Sequence, residues 1–206
     1  MNVKKELILL VVAGTILASA GSSFALTPYW TGNGSDNLWS TPENWWNNTL
    51  PSTVHNGRID KDGATVLIDS SVDAESVIFY MGNTAVSGHT STLNMTGGTY
   101  TGYHRTYIGQ GAGNTSIVNI SGGDWTNAKD FVLGEGGTGT ANVSNGKLSA
   151  AVYMYLGGRD VAGNGSLNIS GGTVTVAYLG AAALVSGGRY PDRRRYFECD
   201  LADLYW

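Results

Sequence analysis

Short runs in which apolar and polar residues alternate recur through the middle of this chain. Four hexapeptides share one pattern: LNMTGG from Leu93, VNISGG from Val118, ANVSNG from Ala141 and LNISGG from Leu167. Their starts are 25, 23 and 26 residues apart. Leu93 and Met95 share one side of the run, and Asn94 and Thr96 the other. That period of two predicts a half-buried strand. The Gly-Gly or Asn-Gly that follows predicts a turn, because glycine tolerates positive φ. A second short strand comes next, as TYT, DWT, KLS and TVT. A third runs in step with the first two: YIGQ from Tyr107, VLGE from Val132, YLGG from Tyr155 and YLGA from Tyr178. In it Ile108, Leu133, Leu156 and Leu179 are expected to point inward, with Thr106, Phe131, Met154 and Ala177 two residues earlier on the same side. TVLID from Thr65 and FYMGN from Phe79 form a degenerate earlier copy.

Three short strands and three turns in about 25 residues describe one coil of a parallel β-solenoid. The expected fold is therefore all-β: a single-stranded, right-handed parallel β-helix of 4–5 coils of 23–26 residues, spanning 64–188. Right-handedness follows the general preference of parallel crossovers. The alternative is a β-propeller, whose blades need roughly 40 to 50 residues, about twice the repeat seen here. In a solenoid, equivalent residues stack at ~4.8 Å. Asn94, Asn119, Asn142 and Asn168 should then form an amide ladder. Tyr80, Tyr107, Tyr155 and Tyr178 fall on one outward column, with Val132 interrupting it. Such a column is either a structural stack of rings or an aromatic stripe offered to a glycan or partner.

The flanking segments read differently. Residues 1–25 carry Lys4 and Lys5, an apolar run from Leu7 to Leu17, and Ser23-Phe24-Ala25. This is the pattern of a cleaved secretory signal peptide, and the run is too short to span a bilayer. Residues 26–63 hold four of the six Trp: Trp30, Trp39, Trp45 and Trp46. They are expected to fold over the first coil as a cap, which the exposed strand edges of a solenoid end require. Alternatively, Trp45 and Trp46 form a sugar-stacking platform. Residues 189–206 contain no Gly and eight charged residues, and break the repeat; they read as a separate charged tail, truncated or out of frame. An uncapped last coil would favour end-to-end association.

Composition narrows the function. Removing the leader leaves 10 basic and 15 acidic residues, a net charge of −5, with no basic stripe. Nucleic-acid binding is therefore not expected, and no membrane span is expected in the mature chain. A single cysteine, Cys199, excludes an intrachain disulfide framework. His55, His89 and His104 lack metal-ligand spacing, and neither H-E-x-x-H nor G-x-S-x-G occurs. The acids of the repeats are Asp124, Asp130, Glu135 and Asp160, of which at most two could meet; Asp130 aligns with Arg105 one coil earlier, as an ion pair. No catalytic residue, cofactor or metal is expected.

The opening W-T-G…W-S…N-W…P-S, followed by G-x-L-N-I-S-G-G-T and Y-I-G-x-G repeats, resembles bacterial exported β-solenoid proteins, including the repeat regions of autotransporter-type adhesins. The resemblance covers residues 28–188. It implies a structural or adhesive protein at the cell surface or outside the cell, without catalytic activity, whose partners are glycans or other surface proteins. The alternatives are a carbohydrate-binding module using Trp45, Trp46, Tyr80, Tyr107, Tyr155 and Tyr178, and a β-helix polysaccharide-degrading enzyme. DLADLYW from Asp200 is similar to the end of a dockerin calcium loop, with Asp192, Asp200 and Asp203 at loop positions 1, 9 and 12. Arg194, Tyr196 and Phe197 stand where two oxygen ligands and a glycine belong, so the tail is expected not to bind calcium.

Secreted protein is expected to start at Leu26, or at Gly21 if Ala18-Ser19-Ala20 is cleaved instead, by mass spectrometry of the intact chain. Recovery of the Met1 form in a membrane fraction would overturn the leader assignment.

Overall fold

In the computed structural model, residues 26–83 and 85–181 are described. Residues 1–25, read as a leader, and residues 189–206, read as a charged tail with Cys199 and the dockerin-like acids, lie outside these residues.

The described chain is a parallel β-solenoid of about five turns. A lone strand, β1 (Gly57–Ile59), precedes the first full coil, made of β2 (Ala64–Ile68), β3 (Asp73–Ser76) and β4 (Phe79–Met81). The next coils are β5 (Thr90–Gly102) with β6 (Thr106–Ile108), and β7 (Thr115–Asn127) with β8 (Phe131–Leu133). The last two are β9 (Thr138–Val143) with β10 (Lys147–Leu156), and β11 (Asn164–Ile169) with β12 (Thr173–Ala181). Each coil has three faces. Face A carries β2, β9, β11 and the first halves of β5 and β7. Face B carries β3, the second halves of β5 and β7, and the first halves of β10 and β12. Face C carries β1, β4, β6, β8 and the second halves of β10 and β12. The stack thus begins at Gly57, inside the segment assigned to the cap. Nothing in β1 matches the repeat motif, so only its pairing with β4 reveals it.

Between faces A and B a glycine turns the chain in each coil after the first, which turns through Asp69-Ser70-Ser71-Val72. Gly98, Gly123, Gly146 and Gly172 all have φ between 68 and 83°. A Cβ on Gly172 would sit 2.6 Å from Gly146 O, and one on Gly146 the same distance from Gly123 O. Two constraints therefore select glycine here: the left-handed backbone and the coil beneath. The amide ladder forms on face A. Nδ2 of Asn119 donates to Oδ1 of Asn94, Asn142 to Asn119, and Asn168 to Asn142, each at 2.8 Å.

In the first two coils the inward columns exchange bulk between faces. Ala74, Tyr100, Trp125 and Leu148 stack on face B, opposite Phe79, Thr106, Phe131 and Met154 on face C. All are buried. Ala74 leaves a gap in coil one, and Trp39 of the cap fills it. The Trp39 ring lies 5.3 Å from Phe79 and reaches past Ala74 to Tyr100, 5.7 Å away. Trp30 and Trp39 flank Trp45 at 5.3 and 4.8 Å, while Tyr100 lies against Trp125 at 4.0 Å. The cap is therefore a plug inserted into the coil, not a sheet laid over it. It also serves the edges of β1 and β2: Trp30 N donates to Arg58 O at 2.8 Å and Trp39 N to Leu67 O at 2.9 Å.

The two ends differ. Trp30, Trp39 and Trp45 close the first end. At the other, Leu167, Val174, Val176 and Leu179 are only partly buried, and Ile169 is 44% exposed. The last coil also departs from the expected register. β10 pairs with β12 as Tyr153↔Tyr178, Met154↔Leu179 and Tyr155↔Gly180, with a bulge between Ala150 and Tyr153. Tyr178 thus lies over Tyr153 rather than Tyr155, and Leu179 over Met154 rather than Leu156. The cause is that β10 spends two residues, Ala151 and Val152, where β12 spends only Ala177.

Leu133→Ala should cost about 2–5 kcal/mol, as for a sealed core leucine. Leu156→Ala should cost less, because Leu156 is only partly buried. Asn119→Ala should cost about 1 kcal/mol for its lost ladder bonds. Denaturant midpoints check this ranking; equal midpoints for all three would refute the inward assignment of Leu133.

Candidate functional site: an aromatic and guanidinium column on face C

Strand pairing joins cap and coils into one outward column on face C. In order it runs Tyr29, Arg58, Tyr80, Tyr107, Val132, Tyr155 and Gly180. Trp46 extends it at the capped end, stacked on Tyr29 with centroids 5.9 Å apart and planes 19° apart. Arg58 holds its guanidinium 5.6 Å from the Tyr29 centroid, close enough for cation–π attraction. The Tyr80 and Tyr107 rings are parallel within 5° at 5.6 Å. Burial raises the Tyr80 hydroxyl above its ordinary pKa, helped by its neighbour Tyr107.

The break at Val132 is bridged by an arginine from the following loop. Arg159 interacts with the hydroxyls of both Tyr107 and Tyr155 across Val132, which is fully buried. Asp130 fixes that arginine, with Oδ2 lying 3.6 Å from Arg159 Nε and 3.1 Å from Arg105 Nε. The expected Arg105–Asp130 pair is therefore present, but Asp130 is buried and shared. Glu135 holds the loop itself, accepting hydrogen bonds from the backbone N–H groups of Arg159, Asp160 and Val161. At the capped end Asp60 Oδ2 lies 2.6 Å from Arg58 Nε. The Nε–H misses the oxygen, so this contact is electrostatic and not an aligned hydrogen bond. Asp60 also accepts from Asn83 N at 2.7 Å.

The column sorts the sequence candidates. Trp46 is 43% exposed and Tyr178 49%. Tyr80 and Tyr155 are half-buried, and Tyr107 is only 8% exposed. Trp45 is not a platform: it is 1% exposed, and its Nε1 donates to Trp39 O at 2.7 Å. Trp45 and Trp46 separate because Trp45 bridges Trp30 in the plug, while Trp46 turns outward to Tyr29. The tyrosine column is first a structural ladder, since neighbouring rings cover each other's faces. What it offers outward is ring edges, hydroxyls and guanidinium groups, with larger open ring areas at Trp46 and Tyr29; Tyr178, also well exposed, lies beside the column over Tyr153. Arg58 and Arg159 escaped sequence reasoning. Arg58 lies in the unrepeated β1, and Arg159 in a loop of variable length.

Among the described residues, no cluster of three or more His, Cys, Asp or Glu is placed to hold a metal ion, and no helix is long and apolar enough to cross a membrane. Comparisons with protein-family models, curated proteins and solved structures find no match.

Asp60 gives the site a pH signature. Burial raises its pKa above 3.8, against the opposing pull of Arg58. The folded state then binds a proton that the unfolded state releases, so this group's contribution to stability falls as pH rises from about 3.8 through the raised value. Asp60→Asn should remove that slope from a plot of stability against pH. An unchanged slope would show that Asp60 titrates normally.

Proposed function

We propose that this chain is an exported, non-catalytic β-solenoid that works as an adhesive surface protein, and that face C is its contact surface for polysaccharide. The observation that carries this reading is the face C column, in which Arg159 spans the one gap at Val132. Tyrosine, tryptophan and arginine side chains run along it from the cap to Tyr155 in the fourth coil, and two acids, the buried Asp130 and the partly buried Asp60, hold the arginines. Ring edges and guanidinium groups suit a hydroxyl-rich partner, and Trp46, Tyr29 and Tyr178 offer apolar area for sugar rings. An extended glycan lying along the solenoid axis would meet one coil after another, so weak contacts add. The leader-like first 25 residues and the resemblance to adhesin repeats support export to the cell surface.

The test is retention of the full secreted chain on a panel of soluble and insoluble polysaccharides, by affinity electrophoresis and pull-down. Retention on at least one is expected, weakened by Trp46→Ala. No retention on any would overturn the reading. Release of reducing ends from the same polymers would overturn its non-catalytic part.

A further inference from the structure

The bulge in β10 does more than shift register. Ala151 and Val152 have no partner residue in β12, β7 or β8. At the same place the corner between faces B and C loses its charge. Coils two and three turn it with Tyr103-His104-Arg105 and Ala128-Lys129-Asp130. Coil four turns it with Ala151-Val152-Tyr153, and coil five, one residue shorter, with Ala177-Tyr178. The result is a groove of about 280 Å³ whose lining includes Thr126, Asn127, Ser149, Ala151, Thr175 and Ala177, with no charged side chain.

The bulge also places three tyrosines beside this groove. Tyr153 lies 5.3 Å from Tyr155 on its own strand and 5.2 Å from Tyr178 on the next, with planes tilted by 32 and 34°. Tilted rings cover each other less than the parallel Tyr80–Tyr107 pair does, and Tyr178 is 49% exposed. Asn127 is already committed: it accepts from Thr106 Oγ1 and donates to His104 O and Asp130 O. Ser149 Oγ donates to Trp125 O at 3.3 Å and to Thr126 Oγ1 at 3.4 Å, which leaves its oxygen as an acceptor, and the Thr175 hydroxyl lines the groove beside it.

We infer that this groove and the Tyr178 ring form a subsite for one neutral sugar unit of a polysaccharide, the sugar's apolar face lying on Tyr178 and its hydroxyls meeting Ser149 and Thr175. The inference rests on the face C reading and places the strongest contact at the corner where face B meets that face. An uncharged lining favours a neutral sugar over a uronate, whose carboxylate would find no cation in the groove. Bulges beside binding sites commonly re-aim a side chain, and this one moves Tyr153 under Tyr178.

The full chain and three variants, each at an exposed position, are compared by affinity electrophoresis on neutral β-glucan, xylan and mannan and on polygalacturonate. Thermal midpoints confirm folding. Tyr178→Ala, and Ala177→Glu, which fills the groove with a charge, should each weaken retention on a neutral polymer about tenfold or more. Trp46→Ala should weaken it less. If Trp46→Ala abolishes retention while the other two leave it unchanged, the subsite falls and the face C reading stands. Retention on polygalacturonate alone overturns the neutral-sugar assignment. If the unmodified chain is retained on nothing, both readings fall.

Discussion

The whole structure depends on one distance, the ~4.8 Å between hydrogen-bonded strands. Because every coil pairs with the coil below it, any residue sits directly over its counterpart one turn earlier. Side chains that tolerate self-stacking are then selected, and others excluded. The same spacing lets Asn119 reach Asn94 and lays the Tyr107 ring on Tyr80. It also denies a Cβ to Gly172 above Gly146. The core obeys it in the opposite sense. In the first two coils one facing position is small, so Tyr100 faces Thr106 and Ala74 yields its space to Trp39, whereas Trp125 and Phe131 of coil three fit by packing edge to face.

This constraint explains why so much of the fold was legible beforehand. Repetition in space requires repetition in sequence, and the asparagine positions could be counted along the chain. Two features escaped for the same reason. β1 is one strand with no motif, visible only because β4 pairs with it. The β10 bulge is hidden by a coincidence of letters: YLGG at Tyr155 and YLGA at Tyr178 look equivalent, yet hydrogen bonding places Tyr178 on Tyr153. A motif match aligns similar residues, whereas a ladder aligns backbone partners, and a single extra residue separates the two.

The site was legible in kind but not in membership. The tyrosine column could be read from spacing, but its neighbours could not. Trp45 and Trp46 are adjacent and chemically identical, yet one is sealed against Trp39 and the other stacks on Tyr29. Backbone geometry decides between them, with Asn47 and Asn48 held at φ of 56 and 52° just after the pair. Arg58 and Arg159 enter from segments without repeat character, and their placement depends on Asp60 and Asp130. Spacing pairs Asp130 with Arg105, but the contact of Asp130 with Arg159 across the coils, and that of Asp60 with Arg58, is set by the fold.

The tryptophan plug has a consequence for how the chain is made. Its ring partners, Phe79 and Tyr100, and its backbone partners at Arg58 and Leu67 all lie in the first half of the protein. A chain emerging from its N-terminus can therefore finish that end before the later coils exist. Each new coil then meets an already ordered strand edge only about 25 residues behind it, and closing a loop of that length costs little. Synthesis and folding can advance at the same pace in one direction, with the finished part acting as the template for the next turn. At every stage the exposed edge is the growing one.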